Sequence, residues 1–134
     1  MRSLTQSLER GAPSEEGLPY SSYVRAGDFV YLSGLVGFGD DCKIVTGGIV
    51  AETRQVMDTA GEILQRAQCS FSDVVKVNIC LPDPDDFDEF NEVYASYFDG
   101  KHPARATICA GLTIDAKVEI EMVAYKPIDM KGGA

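Results

Sequence analysis

The sequence predicts an α+β fold, a mixed β-sheet with two helices packed on one face. Two segments place apolar residues at helical spacing, and the other regular segments alternate or form short apolar runs, as strands do. Both helices need an apolar surface to cover, and one face of a mixed sheet provides it. The chain has 134 residues, 45% of them hydrophobic, which is enough to bury one core without disulfides. We therefore expect a single domain over residues 1–134, with residues 1–17 and 128–134 partly flexible.

The first regular segments predict a β-hairpin. Tyr23-Val24 and Phe29–Leu32 are short apolar runs separated by a turn at residues 25–28. A glycine-rich turn at residues 37–41 then precedes Ile44-Val45. These features predict one more short strand before the first helix.

The first helix is predicted over residues 49–68. Its apolar stripe consists of Val56, Met57, Ala60, Ile63, Leu64 and Ala67. The opposite, polar face carries Glu52, Arg54, Asp58, Glu62 and Arg66. This pattern is typical of a helix that lies on the surface of a core.

An alternating segment over residues 73–81 predicts the next strand. One side of this strand carries Val75, Val77, Ile79 and Leu81. Val74 is expected on the other side, and Pro82 ends the strand because it lacks a backbone donor.

A second helix is predicted to begin after residue 83, where carboxylates and Pro84 suit a helix N-terminus. An aromatic stripe follows at helical spacing, formed by Phe87, Phe90, Tyr94, Tyr97 and Phe98. Such a stripe is more often part of a core than a cofactor site, so we assign it to the core.

Strands at residues 104–109 and 117–125 complete the fold, giving the order ββ(β)αβαββ. In the last strand one face carries Val118, Ile120, Met122 and Ala124, and the other carries Glu119, Glu121, Val123 and Tyr125. This second face is too apolar to be left fully in water and too charged for a sealed core. It therefore predicts a homo-oligomer.

Charge and residue counts argue against several classes of function. The 12 basic and 21 acidic side chains give a net charge of −9, which disfavours nucleic-acid binding. One histidine and four cysteines without a Cys-x-x-Cys pair predict that no metal is bound. No apolar run approaches the length of a membrane span, and the N-terminus has no hydrophobic signal segment. We expect a cytoplasmic protein with reduced thiols and no membrane partner.

Few residues are candidates for chemistry. His102, the sole imidazole, precedes Pro103 in a turn, where a solvated role is favoured over catalysis. Arg105 lies in an otherwise apolar strand, so its guanidinium must pair with a carboxylate of the protein or with one from a ligand. From the residues alone, a structural ion pair between Arg105 and Glu119 is favoured over a catalytic pair.

Five segments in the same order resemble the Rid (YjgF) family of enamine/imine deaminases. These segments are residues 20–34, 73–81 and 90–98, the tripeptide Pro103-Ala104-Arg105, and residues 117–121. The resemblance covers roughly residues 18–127. It implies a chorismate-mutase-like fold, a homotrimer, and sites in clefts between subunits. It also implies hydrolysis of 2-imino acids to 2-keto acids and ammonia, without a cofactor.

The same resemblance assigns roles to individual residues. Arg105 would hold the substrate carboxylate, and Glu119 would help to position the attacking water. The resemblance places further residues near the ligand: Tyr20, Ser33, Gly34, Asn91 and Thr107. Each of these also has a structural alternative, as a packed aromatic for Tyr20, a strand end for Ser33-Gly34, a helix-to-loop hydrogen bond for Asn91 and a β-former for Thr107.

Two departures from the family pattern affect the expected substrate range. Leu35 stands where many members have glutamine, and Thr107 stands where several have cysteine. Two other functions stay open beside imine deamination. One is a non-enzymatic trimer that binds a small 2-keto or amino acid, and the other is a holdase-type chaperone.

Overall fold

The computed structural model describes residues 8–128, which contain one mixed sheet of six strands. In chain order the elements are β1 (Leu8–Arg10), β2 (Tyr23–Ala26), β3 (Phe29–Leu32), α1 (Gly48–Arg66), β4 (Val74–Cys80), α2 (Phe87–Ala95), β5 (Ala104–Ile108) and β6 (Glu119–Tyr125). The strands lie in the order β1-β2-β3-β6-β4-β5, so β5 is an edge strand. Only β4 and β5 pair in parallel among these neighbours.

Both helices pack on the same face of the sheet, which confirms the predicted α+β architecture. The core between helices and sheet contains Val56, Met57, Ala60 and Leu64 of α1, Phe90 and Tyr94 of α2, and Val30, Val77, Ile79, Ile120, Met122 and Ala124 of the strands. We call this side of the sheet the helix face and the opposite side the open face. No helix within residues 8–128 is long and apolar enough to cross a membrane.

Glu52 departs from the predicted polar face of α1 because it is buried. Its Oε1 accepts a hydrogen bond from the backbone N–H of Lys117 at 2.8 Å. The segment before β6 covers this end of α1, and the carboxylate satisfies a backbone donor there.

A β-bulge changes the predicted alternation of β4. The pairing with β6 shifts register between Val74 and Lys76, which leaves Val75 as the extra residue. Val74 is consequently buried at 6% exposure, whereas Val75 is 43% exposed. The prediction that Val75 shares a side with Val77, and that Val74 lies opposite, is therefore wrong.

The additional strand lies elsewhere than predicted. Ile44 forms only an isolated bridge with Phe38, and the third N-terminal strand is instead β1, which pairs with β2. The predicted flexibility of residues 1–7 and 129–134 lies outside the described residues. Residues 8–17 continue the β1–β2 hairpin, with Gly11 N donating to Tyr23 O and Ser22 N to Ala12 O, both at 2.8 Å.

The open face carries an exposed aromatic cluster beside carboxylates. Phe29, Tyr31 and Tyr125 are 40%, 47% and 44% exposed, and the rings of Phe29 and Tyr125 lie 5.1 Å apart. Glu119 and Glu121 share this face because they pair with Cys80 and Asn78. The open face therefore has the mixed character that the sequence predicts.

Candidate active site

Four of the predicted site residues line one cleft of about 380 Å³ at an end of the open face. They are Tyr20, Ser33, Gly34 and Glu119. The other walls are formed by Glu16, Leu18, Val36, Phe38, Thr113, Ile114 and Glu121. We call this the glutamate cleft.

Backbone pairing fixes the position of Gly34 against β6. Leu35 N donates to Ile120 O at 2.8 Å, and Ile120 N donates back to Leu35 O at 3.0 Å. The adjacent Gly34 therefore faces the Glu119 side chain. Ser33 anchors the same segment from the other side, because its hydroxyl donates to Ser21 O at 2.6 Å.

The two carboxylates of the glutamate cleft differ in their partners. Glu121 Oε1 accepts a hydrogen bond from Asn78 Nδ2 at 3.0 Å. Glu119 has no hydrogen-bond or ion-pair partner among residues 8–128. Its oxygens are therefore free to accept hydrogen bonds from water or a ligand.

Gly34→Ala is expected to lower activity by displacing this free carboxylate. A Cβ on Gly34 would lie 3.1 Å from Glu119 Cδ and 3.2 Å from Oε2, so the side chain must shift. Misplacement by a fraction of an ångström is expected to lower turnover by roughly 10-fold, since 1 Å costs about 100-fold. Steady-state kinetics would test this, with Gly111→Ala as the matched control, because a Cβ there meets nothing within 4 Å. Equal activity in both variants would contradict a positional role for Gly34.

Arg105 of β5 lies on the helix face of the sheet. Its guanidinium contacts three aromatic rings of α2, which we call the aromatic bed. Its Cζ is 5.7 Å from the ring centroids of Phe87 and Phe90 and 5.1 Å from that of Tyr94. The aromatic stripe thus has two roles. The assignment to the core is confirmed for Phe90, Tyr94 and Phe98, which are buried, and is wrong for Phe87, which is 43% exposed. The rings of Phe87, Phe90 and Tyr94 also contact the guanidinium.

The Arg105 guanidinium has no carboxylate within ion-pair distance among the described residues. The structural ion pair between Arg105 and Glu119, which the residues alone favour, is therefore not formed within the chain. Aromatic faces stabilise a cation by about 0.5–2 kcal/mol. They do not accept hydrogen bonds from the five N–H donors, which point outward in the plane of the guanidinium. Arg105 is thus a partly buried cation whose forked donors are available to an anion.

Three polar atoms in the same region are buried without a partner. They are Asn91 Oδ1, Tyr94 Oη and Thr107 Oγ1. Buried polar atoms are nearly always hydrogen-bonded, so these three oxygens take a partner from water, a ligand or a second chain. The helix-to-loop hydrogen bond considered for Asn91 Oδ1 is absent from the described residues. Burial raises the pKa of the Tyr94 phenol and the Arg105 cation opposes this rise, so Tyr94 is neutral at pH 7.

Sheet register places Arg105 and Glu119 on opposite faces. Arg105 pairs with Val77, and Val77 pairs with Met122, so all three face the helices. Glu119 pairs with Cys80 and faces the open side. The expectation that Glu119 lies beside Arg105 is therefore wrong within one chain. We call the group formed by Arg105, Asn91, Tyr94 and Thr107 the arginine face.

Sequence reasoning missed several residues that line these two regions. Phe87 and Tyr94 contact Arg105, and their helical spacing with Phe90 is the signal that could have indicated it. Thr113 and Ile114 lie in an irregular segment, where no periodicity shows which side chains face a cleft. Leu35 packs against the hydrophobic core. The replacement of the family's glutamine by leucine therefore affects the packing of this segment on the core.

Comparisons with known proteins match most of the chain. A family model described as Endoribonuclease L-PSP matches residues 12–126. The chain is 43% identical over 117 residues to 2-iminobutanoate/2-iminopropanoate deaminase of Mus musculus, covering 86% of each protein. The crystal structure of RidA from a Psychrobacter species aligns with a TM-score of 0.79 and 32% identity, covering 90% of this chain and 98% of that one. NMB1025 from Neisseria meningitidis, a member of the YjgF protein family, aligns with a TM-score of 0.79 and 25% identity, covering 91% and 97%.

Proposed function

The chain belongs to the Rid (YjgF) family, and on that premise we propose that it hydrolyses 2-imino acids to 2-keto acids and ammonia. The observation that carries this proposal is the Arg105 guanidinium, which lies on an aromatic bed without a protein carboxylate. Such a group is suited to bind the carboxylate of a small substrate. The activity named for the Mus musculus relative supports the same reaction class.

We propose that the active site is completed between subunits of a homotrimer. The arginine face of one subunit meets the glutamate cleft of the next, because one chain holds these groups on opposite faces of its sheet. β5 is an edge strand, so the arginine face lies where a neighbour can approach. The exposed aromatic cluster of Phe29, Tyr31 and Tyr125 supplies apolar surface for the contact.

Arg105 binds and orients the substrate in this mechanism. Its planar fork donates two parallel hydrogen bonds to the substrate carboxylate, which fixes the adjacent imine carbon. The unpartnered Asn91 and Thr107 oxygens lie on the same face, where they are available to the imine group or to water. The protonated imine is itself an electrophile, so attack by water needs no further activation of the carbon.

Glu119 of the neighbouring subunit acts as the general base. It takes one proton from water as the oxygen forms a bond to the imine carbon, and the C=N electron pair moves to nitrogen. The carboxylic acid then returns this proton to nitrogen. The C–N bond of the resulting carbinolammonium then breaks, and its electron pair leaves with nitrogen as ammonia while the Glu119 carboxylate takes the hydroxyl proton and the carbonyl forms. Transfer of that proton from Glu119 to ammonia gives the 2-keto acid, ammonium and the free carboxylate.

The net charge of −9 disfavours an RNA substrate, although the family model is described as an endoribonuclease. Cytoplasmic localisation stays a prediction from the sequence. A binding protein without catalysis would use the same arginine face, and an assay separates it from the enzyme.

The proposed activity is tested by generating 2-iminobutyrate or 2-iminopropionate in situ with an amino-acid dehydratase or oxidase. Addition of the protein is expected to accelerate keto-acid release above the spontaneous rate, with ammonia scavenged. Binding of 2-ketobutyrate without acceleration on any 2-imino acid would support the binding protein and contradict the deaminase.

Light scattering tests the assembly. The mass is expected to be three times the 14.5 kDa of one chain at micromolar concentration. A monomer with full activity would contradict a site shared between subunits.

A further inference from the structure

A second, mostly apolar cleft of about 230 Å³ adjoins the arginine face. It lies between the start of α2 and the end of β5. Its walls are Leu81, Pro84, Phe87, Thr107, Ile108 and Cys109. Among residues 8–128, no charged side chain lines this cleft.

Two residues join this cleft to Arg105. The Phe87 ring lines the cleft and also lies 5.7 Å from the Arg105 Cζ. Thr107 lines the cleft and follows Arg105 by two residues on the same face of β5, a separation of roughly 6.6 Å along a strand. The cleft therefore begins beside Arg105 and Thr107.

A 2-imino acid has its carboxylate and its side chain on the same carbon skeleton, one on each side of the imine carbon. With the carboxylate on Arg105, the imine carbon would lie toward Thr107 and the side chain would extend into the cleft. A dry cavity of about 150 Å³ holds benzene, so this cleft is large enough for an isobutyl or benzyl group.

We propose that this cleft binds the substrate side chain, so that the protein prefers 2-imino acids with branched or aromatic apolar side chains over 2-iminopropionate. The inference rests on the proposed function. Apolar walls favour apolar groups, whereas a charged side chain would lose hydration without gaining a partner.

The test compares imines derived from alanine, leucine and phenylalanine, generated at equal rates by an excess of amino-acid oxidase. We expect kcat/KM for the leucine- and phenylalanine-derived imines to exceed that for the alanine-derived imine by at least about 10-fold, because even one buried methylene gives roughly 10-fold or more. The products give an independent measure by calorimetry. 4-Methyl-2-oxopentanoate is expected to bind at least about 10-fold more tightly than pyruvate.

Cys109→Phe tests the location of the preference. Cys109 is exposed and lines the cleft, so the larger phenylalanine ring at this position is expected to reduce the space in it. The ratio of leucine-derived to alanine-derived turnover is expected to fall toward one. Gln65→Phe adds the same ring to the exposed side of α1 and is expected to keep the ratio of the unaltered protein.

The outcomes separate this inference from the proposed function. Turnover of all three imines with equal kcat/KM, together with equal affinity for the two keto acids, would overturn the side-chain cleft and leave the deaminase intact. If Cys109→Phe does not change the ratio of leucine-derived to alanine-derived turnover, this cleft does not determine the substrate preference. No acceleration on any imine would instead overturn the proposed function.

Discussion

Arg105→Ala is expected to abolish turnover and the binding of 2-ketobutyrate while the fold is retained. The guanidinium supplies two charge-assisted hydrogen bonds to the carboxylate, and their loss predicts a decrease in affinity of at least about 100-fold. The fold does not depend on Arg105 through an ion pair, since none forms among the described residues. Calorimetry with 2-ketobutyrate and the in situ imine assay would measure both effects.

Two variants make the Arg105 result specific. Arg105→Lys is expected to restore little activity, because one ammonium cannot reproduce the bidentate fork. Arg54→Ala removes an exposed arginine from α1 and is expected to change neither binding nor turnover. If Arg105→Ala unfolds the protein in thermal denaturation, Arg105 is a structural residue and its assignment to substrate binding is wrong.

Glu119→Gln is expected to lower turnover by roughly 100-fold or more, the usual effect of losing a general base. The amide keeps the shape of the side chain beside Gly34 but cannot accept a proton from water. Binding of 2-ketobutyrate is expected to change little, because Arg105 holds the carboxylate. A lower kcat with unchanged binding of 2-ketobutyrate would show that Glu119 acts in catalysis and not in substrate binding.

Glu121→Gln is the matched control for Glu119→Gln. Glu121 lies two residues further along the same face and lines the same glutamate cleft, but its carboxylate is occupied by Asn78. A smaller effect than that of Glu119→Gln is expected. A larger loss in Glu121→Gln, with normal turnover in Glu119→Gln, would show that the other carboxylate activates water.

Apolar periodicity was sufficient to predict both helices and most of the sheet. It failed for β1, because Leu8–Arg10 is a short, exposed strand that forms through pairing with β2 and has no apolar face of its own. It also failed at Val75, where the bulge adds one residue and reverses the alternation before it. Both β1 and the bulge at Val75 depend on the strand that pairs with them. The periodicity of one segment does not show which strand that is.

The family resemblance predicts candidate site residues one by one, but it does not predict that one chain holds Arg105 and Glu119 on opposite faces of its sheet. Alternation in β6 does place Glu119 opposite the buried Ile120. The strand Ala104–Ile108 gives no such signal, because it mixes alanine, arginine, threonine and isoleucine without a clear apolar side. Only its register with β4 shows that Arg105 faces the helices.

Subunit mixing tests the shared site most directly. Arg105→Ala and Glu119→Gln chains are co-expressed in equal amounts with different tags, and the assemblies that carry both tags are purified. Where a site takes Arg105 from one subunit and Glu119 from its neighbour, each mixed trimer has both groups intact in one of its sites, about a third of the total. The purified mixed trimers are therefore expected to recover about a third of the unaltered activity, far above either variant alone. Activity no greater than the sum of the two separate variants would contradict a site completed between subunits.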